Sequence, residues 1–459
     1  MFYLYLIMTK RIVVATIAGS DPSGGAGLQA DLRVFTLLGA YGQTVITAAT
    51  VQNSLGVKGF EALEATLVRD QLEALFEDLP PRAVKTGMLA TTQIIEAVAE
   101  VLRKYRPVLV VDPVMVSASG HPLLSPEAVE TLKARLLPLA DVMTPNLPEA
   151  QVLTGKEALS LREQASLEKL VQDLYALGPK AVILKGGHTS GPEAVDLVYD
   201  GRECASIRAP RLQGPIGHGT GCSFSAALTV YLAQGLSLLE AARRAKNFVY
   251  LALKAAQEAP LGRGISPTDP LIHLDRLEQK SQVLFHLEEA ARYFCSHPVR
   301  PLIPEVQSNL VYALPYAQGH HEVAAFPGRI VALGEGATIV GCPRFGASRH
   351  VANIVLTAMS YNPSIRSAMN IRFDEAYLQI AQKKGLRIGE FSRAQEPKEI
   401  KSKEGSTLSW AVDLVCKSLG YVPDIIADRG EVGKEPMIRI LGPNPLEVVK
   451  KALLFLRED

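Results

Sequence analysis

Five cysteines in 459 residues, scattered at Cys204, Cys222, Cys295, Cys342 and Cys416, form no CxxC pair, and no HExxH occurs. That spacing excludes a disulfide framework and a structural zinc site, and it suits a reducing, cytoplasmic setting. An excess of either charge is missing too: 48 Lys and Arg face 47 Asp and Glu, a net of +1. No global field draws such a chain to nucleic acid or to anionic lipid. No apolar run is long enough to span a bilayer. The opening MFYLYLIM is too short for that and has neither a basic lead nor a small-residue cleavage site, so it reads as an extension before a start at Met8. Internal repeats and low-complexity tracts are also lacking. These absences fit a soluble, globular protein, long enough for two domains with a core each.

What is present is alternation. Arg11–Ala18, Thr44–Gln52, Ala83–Met88, Val108–Asp112, Val142–Pro145 and Ala181–Lys185 are short apolar runs that read as strands. Amphipathic stretches lie between most of them, among them Gly24–Gly39, Thr91–Lys104 and Ser125–Leu139, the last opening with Ser125 as N-cap and Pro126 in the first turn. Strands alternating with helices predict an α/β fold, a mostly parallel sheet covered by helices on both faces. Two long helical patterns, Thr220–Ala233 and Leu238–Ala256, close the series, and Ala259–Pro270 ends it. Past a boundary near residue 275, polar helical sequence (Asp275–Phe294) leads to a second, smaller α/β block. Its strands are expected at Leu310–Ala313, Arg329–Leu333, Ile425–Ala427 and Ile438–Leu441, and its helices at His350–Tyr361, Asp374–Gly385, Ser409–Leu419 and Leu446–Arg457.

In parallel sheets ligands gather beyond the carboxyl ends of the strands, and the chemistry-bearing residues fall there. GHGTGCSFSAAL, Gly217–Leu228, turns tightly on glycines and opens a helix, whose first amides have no partner within the helix and carry partial positive charge. Such an end suits a phosphate, although a turn of this kind also serves simply to pack a helix on a sheet. Cys222 sits where that charge gathers, which should lower its thiol pKa. Asp31, one to two turns into the first helix, can accept hydrogen bonds from a small polar substrate or lie solvated. Gln52 ends a strand, and its amide can read a ring offering a donor and an acceptor. Met88 suits an apolar floor or the core. Asp112, before Pro113, stands at a magnesium- or phosphate-proximal position. Glu149 can supply a second oxygen ligand, or it can complete a capping box with Asn146. Lys185, before Gly186–Gly187, can reach a nucleotide phosphate.

AGSDPSGGAGLQAD, ITAATVQNS, KTGML, DPVMVSASGHPLLSPEAV, TPNLPEA, LKGGH and GHGTGC, in this order, resemble the ribokinase-like hydroxymethylpyrimidine/phosphomethylpyrimidine kinases of thiamine biosynthesis. The resemblance covers a domain over 9–272. It implies two ATP-dependent phosphorylations, of 4-amino-5-hydroxymethyl-2-methylpyrimidine and then of its monophosphate, with Mg2+. It assigns Asp31, Gln52 and Met88 to the pyrimidine, Asp112, Glu149 and Lys185 to nucleotide and metal, and Gly219, Thr220, Gly221 and Cys222 to the anion loop. Cys222 is then a candidate base or a wall of the anion hole. Many family members carry Asn-Thr-His where this chain has Ile216-Gly217-His218, so the first two of those contacts have no counterpart. A homodimer or higher homo-oligomer is the family's habit, and a pyridoxal-type vitamin kinase is the alternative within the fold.

Over 285–459, SNLVYALPYA, HHEVAAFPGRIVALG, GCPRFGASRHVANIVLTAM and PDIIADRGEVGKEPMIRILG resemble the ThiN-type thiamine-phosphate synthase domain. The resemblance implies condensation of the pyrimidine diphosphate with thiazole phosphate and release of pyrophosphate. It singles out Arg329 to grip the pyrophosphate and His350 to donate to it. Arg344, Arg349, Arg372, Arg429 and Lys434 near element ends can clamp phosphates or only solvate loop edges. A non-catalytic module sensing thiamine phosphate is the alternative for this half.

Overall fold

The computed structural model describes residues 11–117, 120–156, 164–186, 191–397, 406–431 and 433–456. Met8, Gly187 and Arg457, and part of the DPVMVSASG and LKGGH segments, lie outside the described residues. The chain divides into two compact units, Met1–His273 and Leu274–Asp459.

In the first unit, nine described strands form one sheet: β1 (Val13–Ser20), β2 (Tyr41–Asn53), β3 (Gly56–Ala62), β4 (Ala83–Thr86), β5 (Val108–Val111), β6 (Val142–Met143), β7 (Val182–Leu184), β8 (Glu193–Tyr199) and β9 (Cys204–Pro210), in the order β3-β2-β1-β4-β5-β6-β7-β8-β9. From β2 through β7 every pairing is parallel, while β3 and the β8–β9 hairpin add antiparallel edges. Parallel strands are covered on both faces and so read as unbroken apolar runs. Successive β1 residues serve opposite cores. Ala15 and Ile17 join Val68 and Leu72 of α2 (Ala65–Asp78) and Ile94 and Val98 of α3 (Thr92–Tyr105). Val14 joins Val34 and Phe35 of α1 (Gly27–Leu37). The helix read over Ser125–Leu139 is broken. α4 (Pro126–Thr131) keeps its Ser125 cap, then a wider turn over Leu132–Leu136 and a tight one over Leu137–Leu139 follow. Pro138 has no N–H to continue the ladder. α5 (Leu147–Thr154) and α6 (Gln164–Tyr175) follow, then the strand β10 (Ile216–His218) and the long pair α7 (Thr220–Ala233) and α8 (Leu238–Glu258); β10 pairs with β11 (Ser266–Pro267). Because β1 and β4–β7 run the same way, their carboxyl ends open on one edge, with Asp21, Met88, Asp112, Asn146 and Lys185 just beyond.

The second unit includes most of α9 (Ile272–Cys295). Seven described strands form its sheet, β12 (Leu310–Ala313), β13 (Val323–Ala325), β16 (Arg344–Phe345), β17 (Ser367–Arg372), β18 (Ile388–Glu390), β19 (Ile425–Asp428) and β20 (Met437–Gly442), ordered β16-β13-β12-β17-β20-β19-β18. β14 (Ile330–Leu333) and β15 (Gly336–Ile339) form a separate hairpin. This sheet is antiparallel except between β18 and β19. One face packs on α10 (His350–Tyr361) and α12 (Ser406–Leu419), the other on α9, α11 (Glu375–Lys383) and α13 (Pro445–Leu453). Among the described residues, no helix is long and apolar enough to cross a membrane.

Candidate active site

Two glycine loops meet at the open edge of the first sheet. Gly219 caps α7 at φ 77°, and a Cβ there would lie 1.8 Å from the Gly25 carbonyl oxygen. Gly27, φ 58°, is held as tightly, 2.3 Å from the Gly19 carbonyl. Only glycine permits both the positive φ and the approach. Thr220 Oγ1 donates to the Gly217 carbonyl at 2.7 Å, and the first bond inside α7 runs from Ser223 N–H to the Gly219 carbonyl. The amides of Thr220, Gly221 and Cys222 precede it and point out of the helix end.

Facing them is a group of cations and carboxylates. Lys185 Nζ donates to Asp112 Oδ1 at 2.7 Å and lies 3.9 Å from Glu149 Oε2. Thr144 Oγ1 and Ser225 Oγ, each at 3.1 Å, complete the hydrogen bonds to Asp112. Burial pushes Asp112 upward, but Lys185 and then Lys85 outweigh it and hold the carboxyl below its ordinary range. Glu149 differs: burial, with Asp112 adding to it, prevails over Lys185 and lifts it to about 7. Glu149 also answers both readings open for it. Its Oε2 accepts the Asn146 N–H at 2.7 Å while Asn146 Oδ1 accepts the Glu149 N–H at 2.8 Å, a complete capping box on α5, and it still lines the cavity.

A cavity of about 630 Å3 joins these groups to Gln52, Met88, Gly19 and the apolar Val249 and Leu253 of α8. The structure thus brings Gln52, Met88, Asp112, Glu149, Lys185, Gly219, Thr220, Gly221 and Cys222 together. It keeps Asp31 apart. That carboxylate is fully buried behind the cavity wall, accepting from Lys85 Nζ at 2.7 Å on both oxygens and from Thr16 Oγ1 at 2.6 Å. Its bonds are spent on holding Lys85, a buried cation that does border the cavity. The thiol of Cys222 also departs from expectation. Burial pushes it up, and Asp31 and Asp112 add to that against the downward pull of Lys85, so the helix terminus does not make it acidic.

Sequence reasoning passed over Lys85, Asp21 and His218. Lys85 carried a signal, a lone charge inside the fully buried run AVKT, since a buried cation requires a partner. Asp21 is fixed by Ser23 and Ala26, and His218 Nε2 stands 3.2 Å from it.

In the second unit, Arg329 precedes β14 in left-handed backbone, φ 66°, exposed, with its guanidinium on the Val306 carbonyl. His350, also exposed, opens α10 directly after Arg349. No hydrogen bond joins Arg329 to His350 among the described residues. Arg429 is occupied by Glu375 and Glu390, and Lys434 by Glu431, so these two serve as surface ion pairs here.

Helix-end amides, lysines and carboxylates around one cavity at the edge of a parallel-centred sheet define the class as a ribokinase-like kinase, here joined to a second α/β unit. Residues 21–269 match the phosphomethylpyrimidine kinase family model, and 286–454 match that of the thiamine-phosphate synthase ThiN. The bifunctional thiamine biosynthesis protein ThiDN of Methanocaldococcus jannaschii is 33% identical over 442 residues, covering 96% of this chain and 97% of that one. The chain belongs to this family of two-domain thiamine-biosynthesis enzymes, a hydroxymethylpyrimidine/phosphomethylpyrimidine kinase joined to a ThiN synthase domain. The kinase of that name from Rhizobium meliloti is 44% identical over 255 residues, 56% of this chain and 95% of that one. A solved pyridoxal kinase from Staphylococcus aureus, in complex with AMP-PCP and pyridoxal, aligns with a TM-score of 0.53 at 36% identity, covering 57% of this chain and 94% of that one.

Proposed function

We propose that the first unit transfers phosphoryl groups from ATP to the aminopyrimidine alcohol and then to its monophosphate, and that the second condenses the diphosphate with thiazole phosphate. One observation carries the kinase reading: the amide cup of α7 lies between Lys185 with its carboxylates and the Gln52–Met88 floor, all around one cavity. Phosphoryl transfer asks mainly for in-line placement and neutralised charge. The amides of Thr220, Gly221 and Cys222, with Lys185, supply that for the transferring group. Gln52 and Met88 hold the ring opposite.

Asp112 and Glu149 suit Mg2+ in their donor chemistry. They offer two carboxylate groups lining the cavity, a donor set that suits a small hard cation keeping water and phosphate ligands. Bound there, Mg2+ would neutralise phosphate charge. Lys185, now on Asp112, would turn to the phosphates.

A thiol pushed upward is a poor base at neutral pH, so Cys222 walls the anion hole in this reading. The chemistry does not demand a strong base. In a loose transition state the hydroxyl proton departs late, and the second acceptor, a phosphate monoester, attacks already ionised.

In the second unit, Arg329 grips the departing pyrophosphate and His350 donates to it. The C–O bond to pyrophosphate breaks with its electron pair, and the thiazole nitrogen bonds to the exposed methylene carbon. The whole enzyme acts in the cytoplasm and self-associates.

A single-vessel assay with the pyrimidine alcohol, thiazole phosphate, ATP and Mg2+, its products weighed by mass spectrometry, tests this. Monophosphate, diphosphate and thiamine phosphate should appear in turn. Arg329→Ala and His350→Ala should halt the series at the diphosphate. A diphosphate that never condenses, even with the parent enzyme, would favour a sensing module. The likeness to pyridoxal kinases supports one rival for the first unit, and faster turnover of pyridoxal than of the pyrimidine alcohol would establish it.

A further inference from the structure

Gln52 borders the cavity, and its amide presents a carbonyl at one end and an NH2 at the other. Which end meets the substrate decides which ring it accepts. Resting on the reading that Gln52 faces the pyrimidine, we infer that Asp21, with His218, is the positioning residue that fixes this amide, turning its carbonyl oxygen to the cavity as an acceptor for an exocyclic amino group.

Asp21 is 2% exposed and anchored from several sides. Its Oδ1 accepts the Ser23 N–H at 2.9 Å and the Ser23 hydroxyl at 2.7 Å, and its Oδ2 accepts the Ala26 N–H at 2.8 Å. Burial pushes this carboxyl up, but His218 and the Ser23 and Ala26 donors outweigh it and keep it ionised. An ionised carboxylate only accepts. The end of Gln52 that lies 3.3 Å from Asp21 Oδ2 must therefore be its NH2.

His218, itself buried, closes the arrangement, with Nε2 3.0 Å from Gln52 Nε2 and 3.2 Å from Asp21 Oδ2. With Nε2 unprotonated it accepts a hydrogen bond from the Gln52 NH2, and with Nε2 protonated it donates to Asp21. Either state leaves the amide nitrogen on the Asp21 side. The imidazole cannot easily swing away, because Gly25 lies against it so closely that a Cβ there would be 2.4 Å from its Cδ2. Gln52 Oε1 has no hydrogen-bond partner among the described residues, and the amide borders the cavity.

A site built to bond an amino group rejects a ring that offers an acceptor in its place, since two acceptors then face each other. The test compares the 4-amino pyrimidine alcohol with its 4-oxo counterpart in the full-length enzyme. The parent should prefer the amino compound. In Asp21→Asn the two Ser23 donors outnumber the single Ala26 N–H and hold the remaining oxygen, the new NH2 faces Gln52, and the amide turns over. The ratio of kcat/KM values should then shift towards the oxo compound by about tenfold or more. A merely structural role would slow both compounds alike, and an unmoved ratio in Asp21→Asn overturns the inference. Gln52→Met in the same assay separates the two layers. If it abolishes the preference while Asp21→Asn does not move it, the pyrimidine reading stands and the positioning role falls. If it too leaves the parent's ratio, both fall. Should Asp21→Asn not fold, glutamine-selective 15N labelling of the parent decides. Nuclear Overhauser contacts from the Gln52 NH2 to the His218 ring are expected, and contacts to bound pyrimidine instead would overturn the proposal.

Discussion

Glu149 shows how one carboxyl can be legible in sequence by place and not by state. Its spacing from Asn146 announced the capping box, and its position past β6 announced the site; both hold in one side chain because the first turn of α5 forms the cavity wall. Its proton was not legible, because it follows from burial beside Asp112. The folded protein keeps a proton on Glu149 that the unfolded chain releases from about pH 4.5, and it gives that proton up only near 7. Stability gained from this group is full below that window and is lost as pH climbs through it. Glu149→Gln retains a carbonyl for the Asn146 N–H and has no charge to bury. Without ligands, it should match or fall below the parent near pH 5 and exceed it by about 2–3 kcal/mol at pH 8. Amide hydrogen exchange in β5 and β6 measures this, and a difference that does not change with pH would refute it. Asp31 gives the opposite lesson. Its helical position is as the sequence indicates, but helix periodicity alone could not say that its face turns inward to Lys85, 54 residues away in sequence and brought near only by the sheet.

At the scale of elements, the mostly apolar central strands were the legible ones, because burial on both faces leaves little room for polar residues: β4, β5, β6 and β7 fall inside the segments read for them, and β1 overlaps its segment and runs on to Ser20. β3 and the β8–β9 hairpin were missed. They lie at the sheet's edges, are only partly buried, with no buried residue in β3 and one in β9, and carry charges such as Glu193 and Arg208. In the second unit the full extent of α10, His350–Tyr361, was legible, whereas β17 was not, since Ser367, Asn370 and Arg372 break its apolar run. The glycines of the α7 loop were legible as a turn, and the structure ranks them. Gly219→Ala sets a Cβ against backbone, the Gly25 carbonyl, at a φ that L residues avoid, so one of the two loops must move. Gly221→Ala meets the end of Lys185 at 3.2 Å, which can yield, and Asp112 Oδ2 at an ordinary contact distance of 3.7 Å. The first substitution should lower kcat/KM for ATP by about a hundredfold or more, since displacement of about 1 Å costs that much in an organised site. The second should cost about tenfold or less. Equal losses in steady-state assays of ADP release would mean that the amide cup is not set by the Gly219–Gly25 contact.

For the molecule as a whole, each unit closes its own hydrophobic cores on its own sheet, and none of the core clusters draws residues from both. The family match divides the chain in the same sense, 21–269 and 286–454. The second unit contains a buried charge cluster that tests its independence. Asp428, 1% exposed, accepts from Arg393 at 3.0 and 3.3 Å, from Arg439 at 2.6 Å and from the Gly430 N–H at 2.8 Å. Arg393 and Arg439 also lie 6.0 and 5.6 Å from the Phe391 ring, and Trp410 meets that ring edge-on at 6.1 Å. Trp410 is the only tryptophan in the chain, so its fluorescence reports this unit alone. Asp428→Asn leaves two buried guanidinium groups without a counter-charge, a loss of about 3–5 kcal/mol where one partner of a buried ion pair is removed. The urea midpoint of Trp410 emission should fall by about 1 M or more. Without urea, ADP formation with the pyrimidine alcohol should keep the parent's rate, because the kinase core has lost nothing. If kinase activity instead disappears along the same urea curve as the Trp410 signal, the two units fold as one cooperative body, and their separate cores do not make them separate in stability.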